Sequence, residues 1–211
     1  MVENVYTQDE RRTLLRLARS SLEHGLARGR ALEVDVARYS SPLRDVRASF
    51  VTLLSSGVLR GCIGSLVPVA PLATDVTRRA FQAGFEDPRF LPLDRAEVAR
   101  VLIQVSVLSD TEPIPFSNEE GLLEQLYPGT DGLIIHGPDR QATFLPSVWE
   151  SLPDPVEFLG ALKRKAGLSE TETPARAERY TTESFGEDEN EGSPASGTAF
   201  EHVPDPEKNA R

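Results

Sequence analysis

Two stretches of this chain read as strands that turn straight back on themselves, and a strand returning through a short turn pairs antiparallel with the one before it. Ala48-Ser49-Phe50-Val51-Thr52-Leu53-Leu54 is rich in β-branched and aromatic residues, Ser55-Ser56-Gly57 supplies a turn, and Val58-Leu59 begins the return. Further on, residues 132–136, the turn Gly137-Pro138-Asp139-Arg140 and residues 141–145 repeat the pattern. Strands that arrive in hairpins are not the single strands, separated by crossover helices, from which a parallel sheet is wound.

Helical spacing fills the intervals. A helix is predicted from about Gln8 to Ala27, with Thr7 and Glu10 at capping-box spacing and Leu14, Leu15, Ala18, Leu22 and Leu26 in one stripe. After Pro71, the residues Leu72, Val76, Ala80 and Ala83 give a second buried stripe and leave Asp75, Arg78 and Arg79 on a solvated face. Residues 101–108 alternate as a central strand, and Ser117 with Glu120 opens a helix to about Leu126. Asp154-Pro155 caps a helix running to Ala166, with Val156, Leu159, Leu162 and Ala166 buried and Lys163, Arg164 and Lys165 at the negative end of its dipole. Arg179-Tyr180-Thr181-Thr182 adds a last strand. The order is that of an α+β domain, an antiparallel β-sheet flanked by helices with a smaller second lobe, in which a hairpin–helix–strand order occurs twice. One domain spans residues 1–185. From Gly186 the composition shifts to Gly, Ser, Pro and acids, so residues 186–211 read as an acidic disordered tail.

A net charge of −10 argues against a general nucleic-acid or anionic-membrane binder, since both need clustered Lys and Arg. The one cysteine forbids an internal disulfide or a Cys-rich zinc site and fits a reducing cytosol. Met1 to Glu10 carries acids and no apolar run, so neither a signal peptide nor a membrane span is expected, and the protein reads as soluble and cytoplasmic. No Walker loop, dinucleotide fingerprint or metal-spaced His/Cys cluster is present, and no cofactor or metal is expected.

That cysteine sits in Leu59-Arg60-Gly61-Cys62-Ile63-Gly64. Gly61 and Gly64 let the backbone bend or another group approach, and Arg60 shares a strand face with Cys62, where a cation favours the thiolate, the nucleophilic form. The alternative is a small buried hydrophobe. Pro88 restricts Asp87 to extended backbone, so Glu86, Asp87 and Arg89 fall on a loop. They line a site, or form a charged turn in which Arg89 ties down a carboxylate or a carbonyl. His136 is the nominee for a base that would activate the thiol, and Trp149 is a core plug.

The cysteine hexamer resembles the signature of the AMMECR family, named after a human chromosomal region linked to Alport syndrome, midface hypoplasia and elliptocytosis. The segments Ala48-Ser49-Phe50-Val51-Thr52-Leu53, Asp87-Pro88-Arg89-Phe90, Val105-Ser106-Val107-Leu108-Ser109, Asp131-Gly132-Leu133-Ile134-Ile135, Ala142-Thr143-Phe144-Leu145-Pro146 and Lys163-Arg164-Lys165-Ala166-Gly167-Leu168 are similar to family motifs in family order. The resemblance covers roughly residues 10 to 185 and implies the same fold, an antiparallel sheet flanked by helices with a smaller lobe. It also implies two partners, a Memo-like protein resembling extradiol dioxygenases and a radical-SAM protein. Two functions follow: a cysteine-dependent enzyme or modification factor, with Cys62 catalytic and Arg60, Gly61, Gly64, Glu86, Asp87, Arg89 and His136 around a small-molecule or protein substrate, or a non-catalytic adaptor docking on such a partner.

Overall fold

Thr7 opens the first helix as its spacing predicts: its hydroxyl accepts the Glu10 amide at 3.3 Å and its own amide donates to the Glu10 carboxylate at 2.8 Å. The computed structural model describes residues 5–137 and 140–187. The helix, α1 (Gln8–Arg28), stops at Gly29, whose φ of 67° is left-handed. A 3₁₀ turn (Val36–Arg38) and α2 (Ser41–Arg44) lead to β1 (Ser49–Ser55), β2 (Val58–Gly64), α3 (Leu72–Phe85), α4 (Arg95–Val98), β3 (Leu102–Leu108) and β4 (Glu112–Ile114). Then come α5 (Glu119–Leu123), β5 (Gly132–His136), β6 (Gln141–Phe144), a 3₁₀ turn (Pro146–Glu150), α6 (Pro155–Lys165), β7 (Arg176–Tyr180) and β8 (Thr182–Gly186).

These elements divide into two compact units, residues 5–109 with 183–187 and residues 110–182. The first holds a sheet in the order β2-β1-β3-β8, the second a sheet in the order β4-β7-β5-β6, so the fold is α+β with antiparallel sheets. In the first unit α3 packs on α1 and on β1 and β2, and Leu14, Leu22, Val51, Leu53, Val76, Ala80, Ile103 and Val105 form the core. In the second, Leu133 and Ile135 meet Phe158, Leu159 and Leu162, and Trp149 stacks on Phe158 with ring centroids 3.7 Å apart. The Trp149 indole N–H donates to the Asp131 carbonyl at 2.7 Å, so its polar end is satisfied where its rings are buried.

Several side chains lie where periodicity did not put them. Asp75 is buried, not solvated: one carboxylate oxygen accepts the Ser49 amide at 3.0 Å and the Ser49 hydroxyl at 2.7 Å, and Arg79 pairs with the other at 3.2 Å. Helix α3 has neighbours on more than one side, and a carboxylate facing β1 fixes it to the start of the sheet. Val156, in the first turn of α6, is exposed, while Lys163 is buried and donates to Glu119 and, at 2.6 Å, to the Glu170 carbonyl. Lys163 therefore ties α5 and the segment after α6 together and does not simply answer a helix dipole. Asn118, not Ser117, caps α5, its side chain accepting the Gly121 amide at 2.9 Å. The expected last strand is two strands in different sheets, parted at Thr181. Gly186 closes β8 and Glu187 pairs with Arg19, so ordered chain reaches past the expected start of the tail; residues 188–211 and the turn residues Pro138 and Asp139 lie outside the described residues. Among the described residues no helix is long and apolar enough to cross a membrane.

Candidate functional site

The position of Cys62 depends on one extra residue. Near the turn Ser55 pairs with Val58 and Leu54 with Leu59, but Leu53 pairs with Gly61, which leaves Arg60 as the extra residue of a β-bulge. Because strand side chains alternate, a shift of one residue exchanges the faces. Without the bulge Cys62 would lie opposite Val51, a core residue; with it, Cys62 lies opposite Thr52 on the other face and Gly61 turns towards α3. Gly61 has to be glycine, since a Cβ there would stand 2.2 Å from the Ala83 carbonyl oxygen. At Gly64 a Cβ would enter the ring of Phe50, its cross-strand partner, so that ring lies across β2 at Gly64.

Cys62 is half-buried, and its Sγ accepts a hydrogen bond from the Thr52 hydroxyl at 3.2 Å. β2 is an edge strand, and the outward N–H and C=O of Cys62 are met by side chains in place of a further strand. The amide donates to Asp87 at 2.9 Å and the carbonyl accepts from Arg89 Nη2 at 3.1 Å. Arg89 in turn grips Asp87 through Nε at 3.0 Å and Nη2 at 2.7 Å, and its backbone amide donates to the same carboxylate at 3.1 Å. Arg89 thus ties down both a carboxylate and a carbonyl.

Burial is the largest single influence on Asp87 and pushes its carboxyl up. The Arg89 hydrogen bond, the amides of Cys62 and Arg89 and the guanidinium charge together outweigh it, and the group sits below the usual carboxylate range. Arg89 is raised, first by its hydrogen bond to Asp87, against burial, and then by the charges of Asp87 and Cys62.

Arg60 is turned elsewhere. Its Nε and Nη2 grip Glu97 at 2.7 and 3.0 Å, and Nη2 also donates to the Leu91 carbonyl at 3.0 Å. The Arg60 hydrogen bond holds the Glu97 carboxyl below its usual range, helped by the Asp94 amide. Both guanidiniums stack against Phe90, with the Arg60 Cζ 5.7 Å and the Arg89 Cζ 5.5 Å from the ring centroid. The cation holding the Cys62 peptide is therefore Arg89, and Arg60 anchors the following loop to the start of α4.

Arg60, Gly61, Cys62, Gly64, Asp87 and Arg89 converge on this edge. Glu86 caps the end of α3 and is exposed, with no side-chain hydrogen bond among the described residues. His136 belongs to the second unit, where its Nε2 meets Glu178 at 3.0 Å and β5 pairs it with Gln141 and Arg176. Thr52, Phe90 and Glu97 were not among the expected site residues, although Thr52 and Phe90 lie within quoted motifs. Glu97 carried a readable signal, since Asp94 and Glu97 have capping-box spacing and form one; Thr52 required the bulge to be known. Among the described residues no group of three or more His, Cys, Asp or Glu side chains is arranged to hold a metal ion.

A family model described as AMMECR1 matches residues 15–185. A protein of Methanosarcina mazei is 34% identical over 191 residues, covering 88% of this chain and 96% of its own. One from Aeropyrum pernix is 39% identical over 169 residues, 75% of this chain and 69% of that one. The crystal structure of an uncharacterised protein from Pyrococcus horikoshii matches with a TM-score of 0.75 at 31% identity, over 83% of this chain and 90% of that chain.

Proposed function

The chain belongs to the AMMECR1 family, and on that premise we propose that it is a cysteine-dependent enzyme or modification factor whose nucleophile is Cys62. The observation that carries this is the bulge at Arg60, which turns the thiol away from the core and sets its Sγ under the Thr52 hydroxyl. A hydroxyl donor and the nearby Arg89 guanidinium both favour negative charge on sulfur. Asp87 and Arg89 grip the Cys62 peptide on both sides, so the nucleophile is held in place before a substrate arrives. In this reading the attacking group is the thiolate itself, and His136 keeps its Glu178 partner. A Memo-like protein and a radical-SAM protein are the proposed partners, in the cytoplasm, with a small-molecule or protein substrate.

The second reading, a non-catalytic adaptor, is favoured by Leu91, which is 83% exposed and whose carbonyl accepts from Arg60, an apolar side chain free for docking. The two readings separate on the pH dependence of Cys62 alkylation by iodoacetamide. A reactive thiolate titrates below the ordinary cysteine value of about 8.5, and Thr52→Val and Arg89→Gln each move the midpoint upward. A midpoint at or above that value, unmoved by either substitution, leaves the adaptor.

A further inference from the structure

We propose that the substrate of Cys62 is an uncharged acyl group carried as a thioester, its carbonyl oxygen received by the Gln104 carboxamide, an assignment that rests on Cys62 being the reactive thiol. The strand register places both groups in one line. Cys62 stands opposite Thr52 and Thr52 stands opposite Gln104, so the three share the sheet face turned away from the core. Residues paired in this way have Cβ atoms about 4.5–5.5 Å apart, which puts Gln104 about 10 Å from Cys62 across Thr52. Thr52 is short and only 9% exposed, so it floors that interval, and its hydroxyl already donates to Sγ at 3.2 Å. A cysteine and a glutamine side chain can reach over it from either end and leave room for one small group between them. Both ends are open to solvent. Cys62 and Gln104 are half-buried, and the Gln104 carboxamide makes no hydrogen bond among the described residues yet is not enclosed. Gly186, on β8, lies beside Gln104 and has no side chain to cover it; a Cβ there would stand 3.7 Å from the Gln104 Cβ.

The rest of that face names the class of ligand. On one side of the line Leu54 pairs with Leu59 and Leu102, all half-buried; on the other lie the Phe50 ring and Ser106, whose hydroxyl meets that of Ser184 at 2.8 Å. These positions carry no charge, so a charged acyl group would lose water there with nothing to pair with. Thr52, Asp87 and Arg89 hydrogen-bond Cys62, and none of them is an acid for a leaving group. The hydroxyl is committed to the sulfur, Asp87 is gripped by Arg89, and a guanidinium keeps its protons. The leaving group therefore departs as a stable anion, which a thiolate does and an amine or alkoxide does not. In the step that follows, the Cys62 thiolate adds to the carbonyl carbon and the negative charge passes to the oxygen, where the Gln104 N–H donates to it. Collapse re-forms the C=O and breaks the bond to the first sulfur, which departs as a thiolate with the electron pair and leaves the acyl group on Cys62. Atoms, charge and protons balance without a further reactant.

Phenyl thioacetate and iodoacetamide test this on the intact protein. Both consume the thiolate, but only the thioester places negative charge on a carbonyl oxygen. Acetylation of Cys62 is read by mass and by release of thiophenolate, at a pH where the thiol of each variant is fully ionised. Gln104→Leu and the isosteric Gln104→Glu both remove the N–H donor and are expected to acetylate about a hundredfold more slowly than the parent. Alkylation by iodoacetamide keeps the parent rate in both, which shows the thiol and its strand to be intact. Acetylation at the parent rate in both variants, or a fall shared equally by the two reagents, overturns the Gln104 assignment. Butyryl and succinyl thioesters of thiophenol are then compared on the native parent and on the urea-unfolded chain. The native protein is expected to favour the butyryl group by about tenfold more than the unfolded chain does, and an equal ratio overturns the uncharged class. A Cys62 that is alkylated but never acetylated overturns acyl transfer and leaves the reactive thiol standing. A Cys62 inert to both reagents overturns the reactive-thiol reading, and the acyl assignment falls with it.

Discussion

Replacing Gly61 with alanine tests how closely β2 lies on α3. The new Cβ would stand 2.2 Å from the Ala83 carbonyl oxygen, about 1 Å short of an ordinary C···O contact. Helix α3 is itself closely packed on α1, where a Cβ on Gly84 would stand 2.7 Å from the Leu22 side chain. The strand must move outward instead. A displacement of about 1 Å breaks the 2.9 Å hydrogen bond from the Cys62 amide to Asp87. Overpacking costs about 1–3 kcal/mol and loss of a hydrogen bond to a charged group about 1.5–3 kcal/mol, so the loss is about 4 kcal/mol. With a urea slope of about 2 kcal/mol/M, the midpoint followed by circular dichroism falls by about 2 M. Trp149, in the second unit, serves as control and keeps its native fluorescence. A loss under about 1 kcal/mol, with Cys62 alkylation unchanged, would refute the close approach and the clamp together.

Two carboxylates give opposite pH signatures. Asp87 titrates below its unfolded value, so its contribution is complete above about pH 3.9 and is lost as the pH falls through the folded value; Asp87→Asn flattens that acid limb of the urea midpoint. Asp131 is raised, chiefly by burial and further by Glu112, against the Tyr127 amide and Arg179. The native state then holds that proton more tightly than the unfolded chain, so stability falls as the pH rises through the interval between the two values. Asp131→Asn removes the fall, followed through Trp149, which hydrogen-bonds the Asp131 carbonyl. Unchanged pH slopes in these variants would contradict the assignments.

What is local in the chain was legible in it. The Thr7–Glu10 box, the Asp154-Pro155 start and both hairpins depend on contacts within a few residues, and the α+β class follows from them. What depends on distant partners was not. Asp75 reads as solvated until Ser49 is known to face it, Lys163 reads as a surface charge until Glu119 and Glu170 close over it, and nothing at Thr181 announces a change of sheet. At the site the residue types were readable and the pairings were not. Arg60 and Cys62 are two positions apart, but the bulge and the path of the loop after α3 give Arg60 to Glu97 and bring Arg89 to the Cys62 carbonyl. A one-residue irregularity in a strand has no composition of its own beyond a glycine beside it.

The most direct test of the account is the rate of Cys62 alkylation at neutral pH in the native protein against the urea-unfolded chain. A thiol turned out of the core, hydrogen-bonded by Thr52 and neighbouring Arg89, is expected to react at least as fast when folded as when unfolded. A native rate a hundredfold or more below the unfolded one, rising only as the protein unfolds, would place Cys62 in the core and contradict it.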